Sequence, residues 1–364
     1  MSRFLAALAF LLLLPGCLAD AMYGHLPSAV RMEPAVYPLS GLNGPYDDFN
    51  AVAGPPPLAM DAFIAFASND ASYGGRFSID AGHLTVLQNP FPDRSQSRPP
   101  APAITARRTG VFSLIPSLPG NVRGPTPLVS QRVEPRDYAL DFDGHPTRSL
   151  TLNREPLPFG GGGALPKGAV WMFDSDHKGR RNLYFTDGLD RVRPFFGNAD
   201  GADDAYATYD FKRHELLFSS NRSGSFRLYR YKNVSQDMNF PRWLANAALT
   251  AGIEPVAELD AAGETMAPFV CEDALFFASN RPGGRGGFDL YVSQRTQSGW
   301  GPPRNLQDLF PTSVPVNTAG NEFRPSVLLL GFEEKPELRL LLFSSDRPGG
   351  MGGYDLYLTS LPGF

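Results

Sequence analysis

Several stretches of this chain carry residue types at spacings that could do chemistry. The most suggestive is "SNRPGGRGGFDLY" (Ser279 to Tyr291), because a glycine-rich loop can turn its backbone N–H groups toward a phosphate. "DSDHKG" (Asp174 to Gly179) opens like a calcium loop. Lys178, however, stands where another oxygen ligand is needed, and no Glu follows at the required distance, so it reads as a hairpin turn. "FGGGGALPKG" (Phe159 to Gly168) has glycines and a lysine but not the G-K-[S/T] order of a phosphate loop, and reads as an insertion. Cys271, in "APFVCEDALFF", has no histidine near it in sequence and reads as a small core residue. His25, His83, His145, His177 and His214 are scattered, with no two spaced as metal ligands. No G-x-S-x-G elbow occurs, and spacing singles out no carboxylate pair for glycoside chemistry. The sequence therefore assigns no catalytic, cofactor or metal residue and no binding surface. The expectation is a protein that is not an enzyme and needs no cofactor.

The glycine phrase is not unique, and that decides its meaning. "LFFASNRPGGRGGFDLY" (Leu275 to Tyr291) matches "LLFSSDRPGGMGGYDLY" (Leu341 to Tyr357) without a gap. "LLFSSNRSGSFRLY" (Leu216 to Tyr229), "WMFDSDHKGRRNLY" (Trp171 to Tyr184) and "IAFASNDASYGGRFSID" (Ile64 to Asp80) are further copies. Each has an apolar run, a turn rich in Gly, Pro, Asn or Ser, and a second run that alternates. That is a β-hairpin, with Pro and Gly serving the reversal rather than a nucleotide. The repeated Ser, Asn, Arg and Asp (Ser279, Asn280, Arg281 and Asp289 in one copy) read accordingly as turn caps and internal hydrogen bonds.

An acidic or polar turn and a short strand precede each hairpin, as in "AGNEFRPSV" (Ala319 to Val327) and "GADDAYATY" (Gly201 to Tyr209). A segment rich in Pro and aromatics follows it, as in "GWGPPRNL", "MNFPRWL" and "DRVRPFF". Four antiparallel strands per unit describe a β-propeller blade. The anchoring phenylalanines Phe66, Phe173, Phe218, Phe277 and Phe343 are 107, 45, 59 and 66 residues apart. The first gap is twice the others, so the reading places a sixth, diverged blade inside it, around "PRDYALDFDGHPTRSLTL" (Pro135 to Leu152). The expected fold is an all-β, six-bladed propeller spanning 31–364, with an irregular Pro- and Arg-rich insertion near 90–135. The last copy lacks a fourth strand, which the segment from Arg31 to Phe49 is expected to supply, closing the ring.

Composition fits this and narrows the function. Of 364 residues, 37 are Gly and 35 Pro, which disfavours long helices. A net charge of -4, with both signs interspersed, gives no electrostatic footprint for nucleic acid. Residues 1–16 read as an export signal, with a basic start at Arg3 and an apolar run too short to span a bilayer. "LPGC" resembles the lipobox of bacterial lipoproteins, which implies a lipid on Cys17, a linker over 17–30 and, with Leu18 following, sorting to the outer membrane. The alternative is an ordinary signal and a soluble periplasmic protein. "FSSNRxGxxxLY" and "SNRPGGxGGxDLY" resemble the TolB-type propeller repeat, strongly over Leu216 to Tyr357 and weakly over Asn43 to Tyr184. The resemblance implies an envelope setting and carries over no ligand residue. Two functions stay open: a lipid-anchored module that binds an envelope protein at the periplasmic face of the outer membrane, or a propeller that binds or cleaves glycans with central carboxylates.

Overall fold

The computed structural model describes residues 32, 35–53, 61–87, 103–111, 120–128, 138–140, 146–148, 170–186, 191–233, 239–246, 252–330 and 338–362. After a two-residue strand, β1 (Tyr37–Pro38), blade I comprises β2 (Asp48–Ala53), β3 (Asp61–Ser68), β4 (Ser78–Leu87) and β5 (Ala103–Val111). Blade II begins with β6 (Val122–Pro127). A separate hairpin of β7 (Tyr138–Leu140) and β8 (Pro146–Arg148) comes next in the chain, and the blade resumes with β9 (Trp171–Ser175), β10 (Asn182–Thr186) and β11 (Val192–Pro194). Blade III holds β12 (Asp204–Asp210), β13 (Glu215–Ser220), β14 (Arg227–Lys232) and β15 (Ile253–Pro255). Blade IV holds β16 (Thr265–Cys271), β17 (Ala274–Ser279), β18 (Asp289–Gln294) and β19 (Arg304–Asn305). Blade V holds β20 (Glu322–Leu330), β21 (Leu338–Ser345) and β22 (Asp355–Ser360), and β1 is its fourth strand, Tyr37 opposite Leu358.

The propeller therefore has five four-stranded blades, not six. Among the described residues the long gap between Phe66 and Phe173 holds no extra blade, because β6 pairs directly with β9 as first and second strands of one sheet. Among the described residues the expected sixth copy contributes the β7–β8 hairpin, which falls between those two strands in the chain. The stretch near 90–135 is also less irregular than expected, since it contains β5 and β6. "MNFPRWL" corrects a further expectation. It forms a short helix (Phe240–Leu244), capped by the Asn239 side chain on Arg242 N, and β15 is the fourth strand instead. Trp243 stacks on Tyr231 at 4.7 Å, which anchors that helix to blade III. Closure by the N-terminal segment is as the sequence led us to expect.

Alternation explains why each second strand is buried on both faces. In β17 the side chains of Ala274, Phe276 and Ala278 join a cluster with Leu341 and Phe343 of blade V. Leu275 and Phe277 join one with Leu217 and Leu228 of blade III. A strand sandwiched this way reads as a continuous apolar run, with period two hidden in which neighbour each residue meets.

The first strands pack side by side around the axis, and β2 against β20 closes the circle. One backbone bond repeats at every junction. Asp48 N donates to Tyr354 O (2.7 Å), Val122 N to Phe77 O (3.1 Å), Asp204 N to Arg181 O (2.9 Å), Thr265 N to Phe226 O (3.0 Å) and Glu322 N to Phe288 O (2.6 Å). In blades I, II, III and V the residue just before the first strand adds a side-chain latch to the preceding blade. Asp47 Oδ1 accepts from Tyr354 N, Asn121 Oδ1 from Phe77 N, Asp203 Oδ1 from Arg181 N and Asn321 Oδ1 from Phe288 N.

Each of these latch residues is held by the Asn or Asp of its own blade's hairpin turn, and every such pair has one amide and one carboxylate. Asp47 faces Asn69, Asn121 faces Asp176, Asp203 faces Asn221 and Asn321 faces Asp346. Amide Nδ2 donates to carboxylate Oδ2 in every case, and two carboxylates would leave that position without a donor. Asn321→Asp alone is therefore expected to destabilise the fold by about 1–3 kcal/mol. Asn321→Asp with Asp346→Asn should recover most of the loss, measured as coupling in a double-mutant cycle by urea unfolding. Additive losses would disprove the pairing rule.

Candidate functional site

The repeated polar residues turn out to be structural. In blades III, IV and V the turn arginine lies over the blade's own Phe and Tyr, with Arg222 at 5.2 Å from Phe218 and 4.8 Å from Tyr229, and Arg281 and Arg347 alike. Its Nε donates to the turn serine (Ser220, Ser279 or Ser345). Its Nη2 reaches the residue that opens the first strand, namely Asp204, Thr265 or Glu322. Blade I has Asp70 where that arginine should be, and Arg108 fills the space from β5. It lies 5.2 Å from the Phe66 ring and binds Asp48, Asp70, Asp80 and Ser68. In blade II, His177 takes the place, beside Ser175 and 4.8 Å from the Tyr184 ring. The glycines are equally structural. A Cβ on Gly286 would meet the backbone oxygen of Gly320, and one on Gly352 that of Tyr46, each at the next blade's entry. Asp289 caps its turn by accepting from Arg285 N and Gly286 N.

The calcium-like stretch behaves the same way. Asp174 accepts from Arg181 Nε and Nη2, and Asp176 accepts from Asn121 N and Nδ2, so neither carboxylate is directed at a cation site. Among the described residues no three His, Cys, Asp or Glu are grouped to hold a metal ion. His83 is in β4, His177 in a turn on blade II and His214 in a turn on blade III, and the structure brings none of these together. Cys17, His25, His145 and "FGGGGALPKG" lie outside the described residues.

The axis is where the repeat breaks. Each first strand has a bulge whose residue takes positive φ: Asn50 (62°), Gly124 (61°), Tyr206 (53°), Ala267 (53°) and Arg324 (49°). Backbone geometry is shared there, and side chains are not. Arg324, on blade V, is 1% exposed and reaches blades II and III, its Nη2 donating to Thr126 Oγ1 (2.6 Å) and Ala207 O (3.4 Å). Its guanidinium is 5.5 Å from the Tyr206 ring, and that of Arg181 is 4.4 Å from the same ring. Asp174 and Arg181 are substitutions too. Other blades carry Ala67, Ser219, Ala278 or Ser344 at the first position and Phe77, Phe226, Phe288 or Tyr354 at the second. Burial pulls the Arg324 guanidinium down to about 10, against support from Tyr206 and Asp174, and Arg181 opposes its charge. Burial also lowers Arg181, but Asp174 and Tyr206 outweigh it and the net direction is up.

A cleft of about 790 Å³ opens where the first strands end. Thr126, Val52 and Val327 line its floor, and Phe269, Cys271, Glu272, Asp273, Asp210 and Lys212 stand along it. Cys271 is half-buried there, against the core on one side, rather than enclosed as expected. Every carboxylate lining the cleft has a cation. Asp210 pairs with Arg295 (3.0 Å) and Arg213 (3.5 Å), Asp273 with Lys212 (2.6 Å) and Arg213 (2.8 Å), and Glu272 with Arg339 (3.0 Å). Hydrogen bonds from Lys212 and Arg213 hold the Asp273 carboxyl below the usual range.

No protein-family model matches the chain, and no curated protein does. Solved structures that resemble it include two TolB proteins. One is a putative TolB from Agrobacterium tumefaciens (13% identity, 85% of this chain, 78% of that chain, TM-score 0.36), the other TolB from Acinetobacter baumannii (13%, 94%, 68%, 0.32). An exo-β-1,3-galactanase from Phanerochaete chrysosporium is another (11%, 91%, 64%, 0.45). At these identities and scores the neighbours say nothing of what the chain binds, and the propeller stands on its own strand pairing.

The turn-side network has a measurable consequence at Asp48. Burial drives its carboxyl from 3.8 up to about 6, despite bonds from Ser68, Gly44 and Arg108. The folded carboxyl thus holds its proton more tightly than the unfolded one. Its contribution to stability is full below about pH 4 and lost as pH rises through about 6, a change of about 3 kcal/mol. Asp48→Asn should flatten the fall in urea-unfolding free energy between those pH values. An unchanged slope would contradict the assignment.

Proposed function

We propose that the chain is a non-catalytic binding module of the bacterial cell envelope, anchored by a lipid on Cys17 to the periplasmic face of the outer membrane, and that it takes a protein partner in the cleft where the first strands end. The observation that carries this reading is the pairing of Asp210, Glu272 and Asp273 with arginine or lysine. Glycoside hydrolysis needs one carboxyl kept protonated and another free to act as base or nucleophile across the bond. Carboxylates already answered by cations, and one held low, supply neither role. The cleft suits a protein instead, because an apolar lining that includes Val327 and Phe269 is bordered by exposed charges such as Lys212 and Asp273. The TolB-type repeat and the signal-like N-terminus support the envelope setting.

A photo-crosslinking residue at position 212, in the cleft, should give a discrete adduct in intact envelopes. The same residue at position 73, where Tyr73 is 84% exposed on the turn side, should give none. Equal labelling at both positions, or at neither, would refute a cleft-side partner. Hydrolysis of glycan substrates that disappears in Asp210→Asn or Glu272→Gln would favour the glycan reading instead. Cys17→Ala, or globomycin treatment, should move the protein from the membrane to the soluble fraction, and continued membrane association in both would refute the anchor.

A further inference from the structure

Arg324 and Asn50 are buried at the axis with polar atoms that no group among the described residues satisfies. Asn50 is 0% exposed and Arg324 1%. Arg324 Nε and Nη1, and both Oδ1 and Nδ2 of Asn50, lack a hydrogen-bond partner among the described residues. The two residues hold the same bulge position in adjacent first strands, β20 and β2, which pack against each other. We propose that they line an anion site on the propeller axis, taking a small monovalent anion such as a halide or formate. This inference is independent of what occupies the cleft.

Charge and donor count both point to an anion. The charged groups acting on Arg324 are Asp174, which favours its cation, and Arg181, which opposes it. Asp174 already receives two bonds from Arg181, which leaves one buried positive charge over. A buried charge without a partner is strongly unfavourable, and the face of Tyr206 at 5.5 Å offsets only part of that. The unsatisfied N–H groups are those of a guanidinium and an amide, donors that suit an anion, and among the described residues no carboxylate lies at bonding distance of Arg324. The unpaired acceptors Asn50 Oδ1 and Asp174 Oδ1 need donors, which water beside the anion supplies. Thr126 accepts from Arg324 Nη2 and lines the cleft floor, so the guanidinium lies one side chain beneath the cleft. Enclosure at that depth selects a small ion over a bulky one.

The test uses the whole protein in gluconate buffer, titrated with sodium bromide, chloride or formate at constant ionic strength. A ligand of the folded state raises the melting temperature with its concentration, here by about 2–5 °C between 1 and 100 mM. Arg324→Gln should abolish the dependence. A bromide-soaked wild-type crystal should show an anomalous peak at hydrogen-bond range from Arg324 Nε or Nη1, which decides the matter even if the variant folds poorly. Three outcomes would each overturn the proposal: a melting temperature indifferent to the anion, a dependence that persists in Arg324→Gln, or density at the axis that refines as water with bromide bound only elsewhere.

Discussion

A four-stranded antiparallel sheet has two apolar faces and cannot bury either alone, so each blade depends on how it meets the next. That meeting is fixed by the backbone bond from the opening residue of each first strand to the preceding blade. It recurs at all five junctions with donor–acceptor distances of 2.6–3.1 Å. Because donor and acceptor are both main-chain atoms, the bond tolerates Asp48, Val122, Asp204, Thr265 or Glu322 at the same place. It sets the spacing at which Leu275 and Phe277 on one side, and Phe276 on the other, find their partners. Side-chain pairs of amide and carboxylate then hold the turn that presents the bond. Packing, glycine placement and the arginine network on the turn side all follow from that geometry.

The repeat was legible because its residues do the same local work in blades III, IV and V. Ser279, Arg281, Phe277 and Tyr291 form one stacked, hydrogen-bonded unit, and their counterparts in blades III and V form it again. Blade number was misread because chain length does not separate a whole blade from an insertion inside one. A usable signal was present. "GNVRGPT" (Gly120 to Thr126) aligns with "GNEFRPS" (Gly320 to Ser326), which marks the first strand of blade II and leaves only its own hairpin to find downstream. The fourth strand of blade III was misplaced because "MNFPRWL" has the right composition. A proline early in a stretch capped by Asn239 favours a helical turn over an edge strand.

The axial cluster was invisible for the opposite reason. Arg324, Tyr206, Asn50, Asp174 and Arg181 are the positions at which the copies disagree, so aligning the copies discards them. Blade I shows how disagreement can still preserve structure. With Asp70 and Asp80 standing where blades III, IV and V have Arg and Tyr, Arg108 enters from a different strand and restores the charge. At the axis nothing restores the pattern, and the side chains there answer to one another across the ring instead.

One property of the junctions bears on how such a molecule can change size. The latch residue grips its own turn through side chains but bonds only to main-chain atoms of its neighbour, so any unit can dock behind any other. Joints of that kind impose no head count. The limit on membership comes from the middle, where one arginine spans the bore to reach a threonine and a carbonyl on the far side. A wider circle would carry that arginine out of reach, so gain or loss of a unit requires the hub to be rewritten before the rim.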